Sequence, residues 1–225
     1  MKTSEFRKLI KKYLAPELNK IGFIGTDHHF VKDNGSHVIN AIVIQADKYG
    51  GSCVVELGVH FDFLPNTIRE FIPVSKITVY DCEFRTRLIN KLNWFQSNVL
   101  RQKKSEVWFR YDHTEDESRA RALIQEMKDM ILGQGLSYFS QFNEDFPRAI
   151  TSIKLNELSQ RTKKLDSYGA PLNLRLALLI ARTHIFLENK AEAANFAHWG
   201  LTNIGKTTGL IQDFTEIMDY ANEEH

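Results

Sequence analysis

A chain of 225 residues is long enough for one large domain, or for one domain with a small appendage. Apolar residues make up 43% and charged residues 25%, the balance of a folded, water-soluble protein, and fifteen Phe with three Trp supply ample core material. The net charge of +1, from 29 basic against 28 acidic residues, creates no global field for polyanions, which argues against nucleic acid or an anionic membrane as partner.

Two cysteines, Cys53 and Cys82, are too few for a disulfide framework or a Cys-rich zinc site. The opening MKTSEFRKLIKKYL is charged and amphipathic, without the apolar stretch of a signal peptide, and no uncharged apolar run approaches membrane-spanning length. The expected setting is the reducing cytoplasm, with no metal and no cofactor.

In chain order, residues 4 to 21 predict an amphipathic helix. Phe6, Leu9, Ile10, Tyr13, Leu14 and Leu18 form one stripe, Pro16 kinks or splits it, and Gly22 stops it. Three strand-like runs follow. FIGTDHHFVK leads into Asn34-Gly35, the dipeptide of a tight type I′ hairpin. SHVINAIVIQA is apolar at both parities, as an inner strand covered on two faces would be. In SCVVELGVHFDF, Cys53, Val55, Leu57, Val59, Phe61 and Phe63 alternate with Glu56, Gly58, His60 and Asp62. Beyond Pro65, ITVYDCEF and residues 105 to 112 (SEVWFRYD) predict further strands, while 86 to 104 carries mixed signals. From Thr114 helices dominate: Thr114 and Glu117 suit a capping box ahead of Ala120, Leu123, Ile124, Met127 and Ile131, and Gly133 and Gly135 break or bend that helix. Later helices are predicted over about 145–162, with Phe146, Ile150, Ile153 and Leu158, and then over 171–187, 191–204 and 209–222, with KKLDSYGAP as a connector. Residues 177 to 205 carry the spacing of a single tetratricopeptide-like hairpin, with small residues at 181, 193 and 200 permitting close helix contact. One unit is no solenoid, so an ordinary packed hairpin is favoured. The expected fold is α+β: an N-terminal helix, an antiparallel meander of about four to five strands, and C-terminal helices. The domain division is 1–140 for the α+β part and 141–225 for a helical extension.

Few residues suggest chemistry. Asp27-His28-His29 echoes an acid-His-His metal string, but it sits beside a hairpin, and adjacent strand residues face opposite ways. Gly200 to Thr207 satisfies the letters of a phosphate loop, yet its first glycine falls inside a predicted helix and no buried strand precedes it. His60 and Asp62 are the weak catalytic candidates. Hairpin pairing places His29 opposite Asn40 and brings that row near His60, so that His29, Asn40, His60 and Asp62 form a polar patch. The alternative is a solvated outer sheet face.

The stretch YDCEFRTRL, 80 to 88, carries the ligand-binding candidates. If it is extended, Asp81, Glu83, Arg85 and Arg87 share one face, and Tyr80, Cys82, Phe84 and Leu88 the other. With Glu56, the charged face is either an ion-pair ladder supporting the fold or, in a cleft, a clamp in which two arginines grip a carboxylate or phosphate. Glu56, Glu83, Arg85 and Arg87 are thus the candidate ligand residues.

The order of blocks LNKIGF, HHFVK, INAIVIQ, VVELGVHF, DCEFRTRL and VWF resembles bacterial domain-of-unknown-function family 4304, over roughly residues 3 to 140. The Cys-x-x-Arg-x-Arg-Leu block, Cys82, Arg85, Arg87 and Leu88, is its most distinctive part. The resemblance implies a small α+β domain in bacteria with no established activity and no catalytic residues to carry over. With no complete catalytic constellation and a helical hairpin in the tail, the expected function is a non-catalytic module binding a protein or peptide, immunity-type roles included. The alternative is a small-molecule or anion-binding enzyme with an arginine clamp and a His/Asp pair.

Overall fold

A computed structural model of the chain describes residues 1–65, 69–91, 95–101, 103–112, 116–143, 147–160 and 162–223. Pro16 splits the N-terminal helix as its missing N–H dictates: α1 (Thr3–Tyr13) and α2 (Ala15–Lys20) meet at Leu14, and Gly22 follows at φ 91°. Their stripe is buried, with Phe6, Ile10, Leu14 and Leu18 at most 1% exposed.

Among the described residues, six strands make one antiparallel sheet: β1 (Ile24–Gly25), β2 (His29–Asp33), β3 (Val38–Ala46), β4 (Ser52–Phe61), β5 (Phe84–Arg87) and β6 (Phe109–Arg110). The first five neighbour one another in sequence order, and β6 pairs with the start of β4 on the edge whose later part takes β5. FIGTDHHFVK is not one strand but a small hairpin, Ile24 facing Val31 and Gly25 facing Phe30. The connection at Asn34-Gly35 is also longer than a two-residue turn. Positive φ falls at Gly35 (70°) and His37 (64°), and Asn34 N–H reaches Val38 O at 3.1 Å. That shift in loop length changes the register: His29 faces Val43, Lys32 faces Asn40, and the expected His29–Asn40 row does not form.

Both faces of the central strands are covered. On one, Val38, Ile42, Ile44, Val55, Leu57, Val59, Phe61 and Phe84 join the helices in the main core. On the other, Val31, Ile39, Ala41 and Val43 pack against Ile77, Val79 and Cys82, from the segment joining β4 to β5. This strap is irregular, with 3-10 turns at Val74–Lys76 and Val79–Asp81. ITVYDCEF therefore is not a strand up to Phe84. Thr78 caps the second turn, and Asp81 folds back onto the Thr78 backbone N–H (2.9 Å) and hydroxyl (2.8 Å), a local geometry that competes with extension. Gly58 makes the strap's close approach possible, since a Cβ there would lie 2.6 Å from Cys82 Sγ. SEVWFRYD likewise contributes only β6 and an isolated bridge from Glu106 to Ile89.

The helical part begins with α3 (Glu117–Met130), capped by Asp116, whose side chain accepts from Arg119 N–H; Thr114 and Phe146 lie outside the described residues. Its expected face is buried at Ala120, Ile124, Met127 and Ile131. Gly133 and Gly135 do not stop the helix: Ile131–Gly135 widens into one π turn and the chain runs on as α4 (Leu136–Asn143). The helix expected over 145–162 is instead two short ones, α5 (Arg148–Thr151) and α6 (Leu155–Ser159), and the connector holds α7 (Lys163–Ser167). Then come α8 (Asn173–Phe186), α9 (Lys190–Thr202) and α10 (Ile211–Asn222). Ala181 and Ala193 are fully buried, while Gly200 serves a different neighbour from the one expected: a Cβ on it would strike the ring of Phe214 on α10. Core residues of these helices, among them Leu158, Ala177 and Phe214, are continuous with the main core under the sheet.

Candidate functional site

Alternation along β4 places Glu56, Gly58 and His60 on the strap side of the sheet, and antiparallel pairing brings β5 alongside, with Glu56 facing Arg87 and Gly58 facing Arg85. The expected open, solvated face is absent here: Glu56 is 6% and His60 2% exposed. Burial forces these groups to find partners. Arg85 donates to Glu56 Oε1 from Nε (2.9 Å) and Nη2 (2.6 Å), and its guanidinium lies 5.1 Å from the ring centroid of Tyr80. Arg87 sends Nε to within 3.8 Å of Glu56 Oε2 but spends its other donors on Glu106 (2.8 Å) and Gln45 (3.1 Å).

His60 pairs with Glu83, not with Asp62: its Nδ1 lies 3.0 and 3.1 Å from the two carboxylate oxygens. Burial by itself would lower the His60 pKa; the hydrogen bond and charge of Glu83, helped by Asp81 and Asp62, outweigh it and raise it. Burial raises Glu83 as well, and the opposing pull of His60 does not cancel it. Asp62 lies at the surface, 2.9 Å from Nδ1 of His37. Asn40 faces the main core, so His29, Asn40, His60 and Asp62 form no common patch.

The stripe of 80–88 divides at its turn. Phe84 and Leu88 enter the main core, Cys82 packs under the strap, and Tyr80 is 49% exposed. Burial, reinforced by Glu83 and Asp81, pushes the Cys82 thiol well above its ordinary pKa, and Sγ donates to Thr78 O, so it is no ready nucleophile. Cys53 is pushed up to about 12 by burial. Asp27 binds the His28 backbone and ring, and among the described residues no three His, Cys, Asp or Glu are grouped to hold a metal ion. None of the described helices is long and apolar enough to cross a membrane.

Asp81, Glu83 and Arg85 do line a cleft, of about 980 Å³, closed on its far side by α8 and α10. Glu56 stands behind Arg85, His60 behind Glu83, and Arg87 is turned away. The opposite wall carries residues that local sequence did not mark. Asp213 of α10, 6% exposed, bridges Arg182 of α8 at 2.7 Å and Arg69 of the strap at 3.3 Å. Burial lowers the Arg182 pKa against the pull of Asp213. Arg175, also lining the cleft, is exposed and makes no ion pair with a described residue. Leu64, Leu172, Leu178, Leu179 and Leu210 supply the apolar surface. The two walls are joined at Gly169, whose carbonyl accepts from Arg85 N–H at 3.1 Å; its φ of 64° and its contact with the Arg85 carbonyl leave no room for a side chain. Arg175 and Arg182, seven apart on one helix, were visible as a pair, but nothing local tied them to residues 80–85.

No curated protein and no solved structure shows significant similarity to the chain. The profile described as Domain of unknown function (DUF4304) matches residues 14–141, which span the sheet, its strap and the first long helix. Covering more than half of the chain, that match settles the affiliation: the protein belongs to the DUF4304 family.

Proposed function

We propose that the protein is a non-catalytic binding module that takes a segment of a protein or peptide partner into the cleft between residues 80–85 and helices α8 and α10. The observation that carries it is the lining: Arg69, Arg85, Arg175 and Arg182 over a leucine floor, in a cleft of about 980 Å³. Such a surface binds an amphipathic ligand, with leucines providing burial and arginine forks reading acceptors. Both thiols are buried and held protonated, which favours binding over thiol-based catalysis.

Gly209 offers a direct test. It lines the cleft, and a Cβ there meets no atom within 4 Å, so a side chain can start at this position and Gly209→Trp should obstruct the cleft. Immobilised parent and Gly209→Trp proteins, both checked for folding by circular dichroism, are exposed to the same native lysate. A protein retained by the parent, lost with the variant, and then shown to bind the parent directly when purified is the expected result. Equal retention, or none above background, overturns the proposal.

A second reading, an anion-binding enzyme, draws on the His60–Glu83 pair at the back of the same cleft. Its expected parts are scattered, with Asp62 on His37 and Arg87 on Glu106 and Gln45. A turnover lost in both Glu83→Gln and Gly209→Trp would favour it.

A further inference from the structure

Arg175, Leu178 and Arg182 lie at i, i+3 and i+7 of α8, and all three line the cleft. That spacing makes one stripe along the helix, cation, apolar, cation. Seven residues of helix rise about 10 Å, which separates the two guanidinium attachment points by that distance. A polypeptide in the extended polyproline II conformation advances about 3.1 Å per residue with about three residues per turn, so side chains three residues apart share one face and match the same interval.

The two cations are not equivalent. Arg182 is anchored, with only Nη2 engaged by Asp213, and Arg69 leans on the same carboxylate. Asp213 thus positions two arginines with one negative charge and leaves the trio with an excess of one positive charge. A guanidinium carries five N–H donors, so Arg182 keeps donors for a further acceptor. Arg175 has no carboxylate partner among the described residues. On the facing wall, Glu83 is engaged by His60, and Asp81 by Thr78. The four lining arginines face Asp81, Glu83 and Asp213, so the cleft carries a formal excess of one positive charge, with an arginine at each end of the leucine strip on α8.

Resting on the binding function proposed above, we infer that the partner segment is an extended acidic peptide with two carboxylates three residues apart and apolar side chains between them. One carboxylate meets Arg175, the other the Arg182–Arg69 pair, and the apolar residues cover Leu178. A single phosphate offers one anionic centre and nothing for the leucines, and so uses only part of the surface.

The test uses fluorescein-labelled peptides in phosphate-free buffer, read by fluorescence anisotropy. The parent probe is Ser-Glu-Leu-Leu-Glu-Ser; in one control both Glu are Gln, and in another they are adjacent. The parent probe should bind the full chain, more weakly as salt rises. The Gln control, the adjacent-Glu control and Arg175→Ala should each weaken binding by roughly tenfold, and Gly209→Trp should abolish it. Equal binding of the Glu and Gln probes, both lost in Gly209→Trp, overturns the acidic class while leaving the cleft as the docking site. Binding that survives Gly209→Trp overturns the cleft itself. Displacement of the parent probe by inorganic phosphate at equimolar concentration overturns the two-carboxylate ligand in favour of a single-anion site, and failure of all three probes to bind overturns the peptide class.

Discussion

On the helix-covered face of the sheet, Val55, Leu57, Val59, Phe61 and Phe84 meet α1, α3 and α4 through aliphatic and aromatic contacts, among them Phe84 against Phe142 at 4.9 Å. On the strap-covered face of the same strands, the alternate residues are Glu56, Gly58 and His60, facing Glu83, Arg85 and Arg87. The first face is held by non-directional burial, which tolerates no lost volume. The second is held by partners that must each be in place, because a buried charge left alone costs more than the pair gains. The same difference decides function: only the second face can present donors to a cleft.

The largest effect should come from the first face. Phe84→Ala, at a residue 0% exposed, should cost roughly 3–5 kcal/mol in urea unfolding, since it leaves a cavity against Phe61 and Phe142. A cost below 1 kcal/mol would mean that the helix layer is not the rigid one. Arg85→Ala tests the second face. It strips Glu56 Oε1 of both its donors and should cost roughly 1.5–3 kcal/mol, with Glu56→Gln/Arg85→Ala recovering part of the loss. If the double variant is as unstable as the sum of the singles, the pair does not act as a unit.

Gly58→Val tests how the strap is seated. The added methyls collide with Cys82, and the expected cost is roughly 1–3 kcal/mol. Cys82 should become reactive toward an aromatic disulfide reagent while Cys53, on the other face, stays protected; equal reactivity of the two would deny that the strap alone moved. The smallest effect is on pH dependence. Both His60 and Glu83 are raised in the folded protein, so each contributes stability that is full below its unfolded pKa and lost as pH rises through its folded one. Stability should therefore decline from near the ordinary Glu value of 4.5 upward, past the ordinary His value of 6.5. The slope should flatten in His60→Gln/Glu83→Gln. An unchanged slope in that variant would assign the dependence to other groups.

What could be read in advance follows this contrast. Alternation from Cys53 to Phe61 and the stripes of α1 and α3 are local periodicities, set by strand and helix geometry, and they gave the apolar face correctly. The polar parity of β4 was equally legible, but its burial was not, because the covering residues Ile77, Val79 and Cys82 lie in a strap with no regular period. Residues 80 to 88 read as extended because Tyr80, Cys82, Phe84 and Leu88 alternate with charged residues; Thr78 and Asp81 bend the start of that stretch through side chain to backbone bonds that periodicity ignores. The register through Asn34-Gly35 failed by turn length alone, since positive φ at His37 lengthens the loop beyond the dipeptide.

By itself, then, the sequence determined the α+β class and the apolar sides of α1, α3 and β4, which are encoded within windows of a few turns or one strand, and the family, which rests on the order of such blocks along the chain. Only the tertiary structure decided that Arg69 and Arg182 share Asp213 across 144 and 31 residues of chain, that Gly169 docks on Arg85, and that Asp81, Glu83 and Arg85 line a cleft. Those are long-range electrostatic and steric matches, and no local preference for helix, strand or turn records them.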